Sequence, residues 1–378
     1  MARASAAVLR VAAMFASAAM LRVAVFASAA MLSAAPAVVA AAGGEYAAVT
    51  PGRTIAFPRD AGSHPDFRTE WWYVTGWLNT EAGDSLGFQI TFFRTKPNVD
   101  AANPSAFAPR QLLIAHCAVS DPKHGALWQD QRIRRAGLGL AEAAEGDTNI
   151  WIDDWSLKHA APGYQASVSA ENFAFSLTLT ETQPVLLNGQ EGVSRKGVSA
   201  EAASYYYSLP HLTVAGTLSR SGVAQRVSGE AWFDHEWSSH YLEAEASGWD
   251  WAGINLDDGS ALMAFRIRAL DGSTRWAGGT LRSGDGKVQV LQNGEVHFAA
   301  RRLWTSPRTG TPYPVEWDLQ AGRREYVLKP LMDDQENDTR LSTGAIYWEG
   351  AVRAYEAGNR VGKGYLELTG YGDRLRLR

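Results

Sequence analysis

Along most of the chain apolar and polar residues alternate one for one, as in a strand with one face in a core and the other turned away. The run 86–94 (LGFQITFFR) sets Leu86, Phe88, Ile90 and Phe92 on one face, against Gly87, Gln89 and Thr91 on the other. Residues 173–180 (FAFSLTLT) repeat the pattern, with Phe173, Phe175, Leu177 and Leu179 alternating with Ala174, Ser176, Thr178 and Thr180. Further strands are predicted over 68–78, 112–120, 149–157, 212–219, 250–256, 261–268, 345–352 and 364–371. Turn signals such as Glu81-Ala82-Gly83-Asp84, Asp257-Asp258-Gly259, Leu270-Asp271-Gly272 and Asn293-Gly294 lie between them. A short helix is predicted over 137–145, and no segment carries a long helical stripe. Many short strands without interleaved helices predict an all-β chain of antiparallel barrels or sandwiches, not a parallel βαβ sheet.

The first 44 residues break this pattern. They hold Arg3, Arg10 and Arg22, no acidic residue, and otherwise mostly Ala, Val, Leu, Met, Phe and Ser, the profile of a secretory signal. The segment repeats itself (RVAAMFASAAML at 10–21, RVAVFASAAML at 22–32), which makes Met20 a plausible true start. From there Arg22 supplies the positive end, Val23 to Ala34 the apolar run, and Ala40-Ala41-Ala42 before Gly43 a small-residue cleavage site. A signal peptide over 1–42 therefore predicts a periplasmic or secreted protein; an uncleaved membrane anchor is the alternative.

Losing that segment removes three of 36 basic residues and none of the 40 acidic ones, leaving a net charge of −7. Basic residues are neither in excess nor clustered, so no nucleic-acid partner is expected. The roughly 335 remaining residues exceed what one core usually serves. Two domains are predicted, 43–238 and 239–378, because the strand pattern passes a dense aromatic knot around Trp232 to Trp251 and restarts. Cys117 is the sole cysteine, so stability in an oxidising compartment rests on packing rather than intramolecular disulfides.

The segment 57–78 (FPRDAGSHPDFRTEWWYVTGWL) resembles the family that contains the carotenoid 1,2-hydratases (hydroxyneurosporene synthases) and the AttH-like secreted proteins. The likeness continues through 87–94, 115–121, 194–210, GEAWFDHEWSS (229–239), 248–263, YWEGAV (347–352) and GYLELTGY (364–371). The resemblance implies two lipocalin-like β domains with an apolar ligand, a lipid or isoprenoid, held in or between them, and a link to an ABC-type membrane transporter in the AttH-like branch. Fungal decalin-forming cyclases look like distant relatives. In the hydratases a carboxylate on the strand after the aromatic knot is expected to donate the proton, yet 260–268 (SALMAFRIR) holds no Asp or Glu. That departure aligns the chain with the AttH-like branch.

The strongest candidate constellation is Asp234-His235-Glu236-Trp237, followed by Trp249-Asp250-Trp251. On a strand, Asp234 and Glu236 point to one side, His235 and Trp237 to the other. A carboxyl buried among indoles is pushed toward its protonated form and can protonate an alkene. Aromatic faces then hold the cation, and His235 or a second carboxylate serves as base for water. The structural alternative makes Asp234 and His235 a hydrogen-bonded pair closing a strand. Glu70, with His64 and Asp66, sits beside Trp71, Trp72 and Tyr73; it lines a pocket mouth or pairs with Arg68, leaving the aromatics to the core. His116 shares a face with Ile114 and Ala118 and points into a cavity or against a buried partner. Tyr206 must face opposite to Tyr205 and Tyr207. Candidate ligand contacts are thus Glu70, Trp72, His116, Tyr206, Trp249 and Trp251.

Sharper motifs fail. His235 and His240 are five apart in a β context, where a zinc helix needs four, so no metal is expected. Ser194 lacks the setting of a nucleophile elbow, and 358–364 (GNRVGKG) is too short for a phosphate loop, so no cofactor is expected. Asp234 and Glu236 as a glycosidase pair would stand on one strand, a poor arrangement for flanking a bond. Two functions remain open: an exported carrier of an apolar ligand, and a hydro-lyase adding water to a terminal double bond.

Overall fold

The computed structural model describes residues 46–100 and 102–375, so the predicted signal lies outside the described residues. Apart from one 3-10 turn at Arg59–Ala61, the regular elements are strands, and neighbours pair antiparallel. A sheet of 13 strands takes Leu127–Arg135, Leu112–Ser120, Ser85–Thr95 and Thr69–Thr80 in order, then Val223–His240 and Ala203–Arg220. It continues through Phe173–Thr180, Gly163–Ser169, Trp155–Ala160 and Asn149–Ile152 to Ala141–Ala143, and the short strands Leu186–Leu187 and Val193–Arg195 pair with Ala203–Arg220 beside this path. Its two ends approach, and Arg132 on the first strand donates to the Ile152 carbonyl beside the last, giving a nearly closed barrel.

A second sheet of ten strands runs from Val288–Leu291 through Thr274–Arg282, Ala261–Ala269, Ala246–Leu256, Asn359–Leu368 and Ala345–Glu356 to Arg324–Pro330, Pro312–Ala321 and Val296–Thr305, with Glu336–Thr339 pairing with Ala345–Glu356 beside this path. The chain passes from one sheet to the other between His240 and Ala246. No helix of the described residues is long and apolar enough to cross a membrane.

The predicted helix over 137–145 does not form. Gly137, Leu138 and Gly139 all have positive φ (88°, 57° and 70°), which turns the chain back on itself, and Ala141–Ala143 is a short strand. Left-handed backbone cannot continue a right-handed helix.

Period-two patterning divides the apolar residues among three cores. Leu86, Phe88, Ile90, Phe92, Trp72, Tyr207 and Trp237 fill the first sheet's interior. Ala252, Ile254, Trp317, Trp348 and Leu366 fill the second's. The third core lies between the sheets and joins Tyr73, Trp77, Tyr206 and Trp232 from the first to Trp251, Met263, Phe265 and Tyr365 from the second. Contact there is close: a Cβ at Gly87 would stand 2.6 Å from the Tyr365 hydroxyl and 2.8 Å from Ala351 Cβ. Burial on both sides explains why the strands at the junction carry aromatic residues on both faces.

Candidate functional site

Within the third core lies a cavity of about 90 Å³. Its first wall comes from three adjacent strands in fixed register, where Tyr73 lies opposite Asp234, Trp71 opposite Glu236, and Tyr206 opposite Glu236. Because side chains directly opposite share a face, Trp71, Tyr73, Tyr206, Asp234 and Glu236 all reach the same cavity. The opposing wall is Trp249, Trp251, Phe265, Tyr347, Glu349 and Glu367 from the second sheet. Glu349 and Glu367 are paired across neighbouring strands. Trp71 stacks on Tyr241 at 4.5 Å, and Tyr73 meets Trp251 edge-on at 5.3 Å.

The carboxyls differ in their partners. Asp234 accepts from Ser208 Oγ at 2.5 Å, Trp232 Nε1 at 2.6 Å and the Tyr206 hydroxyl at 2.6 Å. Trp251 Nε1 in turn donates to Tyr206 at 3.0 Å. Glu236 pairs with Lys196 Nζ at 2.8 Å and accepts from Ser204. The Lys196 ammonium lies 4.2 Å from the centre of the Phe265 ring, which helps to hold a nearly buried cation. Glu367 accepts from Trp249 Nε1 at 2.8 Å. Glu349 is buried; its Oε1 and the Tyr73 hydroxyl make no close hydrogen bond, although Tyr73, Tyr347 and Asn337 stand near enough to oppose in part the effect of burial on the carboxyl.

Burial dominates the titration of three of these groups. It pushes Asp234 up to about 7, against the pull of its three donors. Burial, with the Glu367 charge beside it, raises Glu349 well above the usual carboxyl range. Glu367 is raised by burial despite its bond from Trp249, and the Glu236 and Asp234 charges add to the shift. At neutral pH the cavity therefore holds carboxylic acid protons in an apolar, aromatic setting.

On the opposite face of the same strands the first barrel holds a second cluster. Glu70 Oε2 accepts from Arg94 Nε at 2.7 Å and from the His64 backbone amide at 2.8 Å. Its Oε1 is 2.6 Å from His64 Nδ1 and 2.9 Å from His235 Nε2. Burial alone would raise Glu70, but Arg94 and the two imidazoles outweigh it and hold it far below the usual range. Burial drives His235 down to about 4, so that neutral His235 donates from Nε2 and its Nδ1 accepts from the Tyr207 hydroxyl at 3.1 Å. His64 shifts the other way: burial lowers it, but bonds to Asp60 and Glu70 prevail.

His64, Glu70 and His235 are also the one trio of potential metal ligands among the described residues. Ligands about 2.0 Å from a tetrahedral zinc stand roughly 3.3 Å apart. The separations of 2.6 and 2.9 Å here are those of shared protons. With Arg94 already compensating the one carboxylate, the residues fit a hydrogen-bonded network rather than a metal site.

Of the residues singled out in the sequence, Asp234, Glu236, Tyr206, Trp249 and Trp251 meet at the cavity. His235, Trp237, Glu70 and Trp72 do not; they lie in the first barrel's interior, where His235 is sandwiched with Trp72 at 4.5 Å. Glu70 pairs with Arg94 across the strands, not with Arg68. Asp66 is exposed and takes no part. His116 stands behind the cavity, its Nδ1 2.9 Å from the Tyr347 hydroxyl and its Nε2 2.9 Å from Ser342 Oγ. Asp250 points to the interior side of the second sheet, toward Arg266 and Arg268.

Lys196, Glu349 and Glu367 escaped the sequence reading. Their signal was present: Glu349 and Glu367 are lone acids in the apolar strands 345–352 and 364–371, in phase with Tyr347 and Tyr365.

The AttH-like family matches residues 48–371, and the chain belongs to that family. A Nitrosomonas europaea protein carrying the AttH name is 52% identical, with a TM-score of 0.81 over 86% of this chain and 99% of that one. The kievitone hydratase of Nectria haematococca shares the fold at 14% identity, with a TM-score of 0.64 over 88% of this chain and 97% of that one. No curated protein matches the chain.

Proposed function

We propose that the cavity between the sheets binds one end of an apolar, unsaturated lipid or isoprenoid and that its carboxyls catalyse addition of water to a carbon–carbon double bond. The observation that carries this reading is Glu349, a buried carboxyl in a wall of aromatic rings, raised well above its usual range and with no close hydrogen bond to its Oε1. An acid kept protonated by an apolar site is the donor that alkene hydration requires. Its proton adds to the less substituted carbon, leaving a tertiary cation beside Trp71, Tyr73 and Trp251. Ring faces attract that charge. Water then bonds to the cation and loses a proton to Asp234, whose position near 7 leaves it partly ionised at neutral pH. The balance is one water consumed per double bond. Kievitone hydratase bears a hydratase's name on this fold, which is consistent with the reading without carrying it.

A second reading, an exported carrier serving a membrane transport system, is favoured by one feature. Three donors saturate Asp234, as they would a carboxyl whose task is to hold strands together. Incubation with acyclic isoprenoids in ¹⁸O-water separates the two. A hydratase yields products heavier by one labelled water, and Glu349→Gln lowers turnover by about 10²-fold or more while ligand quenching of tryptophan fluorescence persists. Binding without turnover in the unmodified protein favours the carrier; turnover undiminished in the variant removes Glu349 from the reaction.

A further inference from the structure

We propose that the ligand is an anionic amphiphile, a long-chain carboxylate or phosphate ester, whose head is held by Arg68 and Arg374 outside the cavity while its tail runs inward to the buried carboxyls. This rests on the reading of the cavity as an apolar binding site and adds the chemistry and orientation of its occupant.

The observation behind it is a second depression of about 370 Å³ that shares Thr69, Tyr241 and Leu242 with the first. The two therefore lie side by side with these three residues between them, so that a movement of the Tyr241 and Leu242 side chains would join them. The polarity changes sharply between them: the inner cavity is walled by aromatic rings and carboxyls, and the outer one by Arg68, Arg374, His240 and Ser239. Thr69 and Leu242, both half-buried, line the two depressions alike, whereas Asp234 and Trp251 on the inner wall are buried.

Charge sorts the ends of a ligand that spans the two. Among the described residues the inner end has no free cation to offer an anion, since Lys196 in its lining is already paired with Glu236 at 2.8 Å, and an anion there would stand against the Asp234 and Glu349 carboxyls. At the outer end Glu243 is the acid of the wall, and it is occupied by Arg275 Nε at 2.6 Å and the Ser199 amide at 2.8 Å. Arg68 has no ion-pair partner among the described residues; its guanidinium lies 5.6 Å from the Tyr46 ring centre. Arg374 is turned toward the backbone carbonyls of Ala244 and Ala246, which neutralise none of its charge. Two guanidiniums without acidic partners among the described residues, beside the wall of an apolar cavity, match a carboxylate or phosphate head, which arginine binds through paired N–H donors. An inner space of about 90 Å³ is below that of sites enclosing a whole ligand, so a long chain must extend outward past Tyr241 and Leu242.

The test compares matched pairs differing only at the head: palmitoleate with palmitoleyl alcohol, and farnesyl phosphate with farnesol, titrated against the tryptophan fluorescence of the full chain. The anionic member should bind about 10- to 100-fold more tightly than the alcohol. Arg68→Gln, a half-buried position outside the cores, should remove most of that difference while leaving the alcohol's affinity unchanged; Arg374→Gln should do the same. Preference for palmitoleate over palmitoleyl alcohol alone identifies a carboxylate head, and for farnesyl phosphate over farnesol alone a phosphate. Acid and alcohol binding equally, or an anion preference surviving both substitutions, overturns the inference and leaves the cavity reading intact. Binding of no probe sinks the cavity reading itself.

Discussion

The two polar clusters on either face of the strand Val223–His240 put carboxyls at similar depth to opposite use. Inside the first barrel, Glu70 is surrounded by donors and cations and is held ionised. Across the same sheet, Glu349 shares a cavity with aromatic rings and retains its proton, and Glu367 beside it is raised to about 7. Burial sets the cost of a charge, but partners decide whether it is met by ionisation with compensation or by neutralisation. The first arrangement stabilises a fold; the second leaves a proton available for transfer.

Removing each carboxyl's charge in turn breaks the comparison most directly. Glu70→Gln leaves Arg94 buried without its counter-charge and should cost about 3–5 kcal/mol of stability, read from the urea midpoint. Glu349→Gln replaces a neutral acid with a neutral amide and should stay within about 1 kcal/mol of the parent. Equal losses would mean that Glu349 is an ionised structural group and would dissolve the distinction.

The pH dependence of stability comes next. An unfolded Asp234 releases its proton near pH 3.8, but the folded one keeps it to about 7. Between those values the folded chain binds more protons, so stability must fall as pH rises from about 4 to 7, by on the order of 4 kcal/mol for this group. Glu70 has the opposite sign: its contribution is present above its unfolded value and is lost as pH falls through its depressed folded value. Urea midpoints from pH 4.5 to 8 should decline for the parent and decline less steeply in Asp234→Asn, where the raised Glu349 and Glu367 still contribute a fall of the same sign. A profile identical in the variant would show that Asp234 is ionised throughout.

How far this division was legible follows from burial. Alternation correctly separated Asp234 and Glu236 from His235 and Trp237, and Tyr206 from its neighbours, because facing is a backbone property. It could not say which side was barrel interior and which was cavity. His235 is fully buried and Asp234 nearly so, and a strand covered on both faces has no polar side to mark the outside. His235 thus entered the candidate site with residues on the far side of its own sheet. Glu349 and Glu367 were legible only as acids out of place in apolar strands. The partners that set their protonation come from strands distant in sequence, which no local pattern contains.

Lys196 and Glu236 offer an intermediate case, an ion pair at the edge of the cavity. Lys196→Gln alone strands a nearly buried carboxylate and should cost about 2–3 kcal/mol, whereas Lys196→Gln with Glu236→Gln should recover much of that loss. Additive losses in the double-mutant cycle would show that the two residues act independently.

The smallest effect concerns access rather than energy. Cys117 is fully buried on the interior face, and burial holds its thiol well above the ordinary range. Iodoacetamide should therefore leave the native protein unmodified, since a thiol must ionise and meet the reagent to react. Thr69→Cys puts a thiol where the cavity meets the outer depression. That thiol should be alkylated in the native state and protected by a bound ligand, with little change in stability. Modification of Cys117 at a similar rate would mean that the barrel interior opens as readily as the cavity, and solvent access would no longer distinguish the two faces.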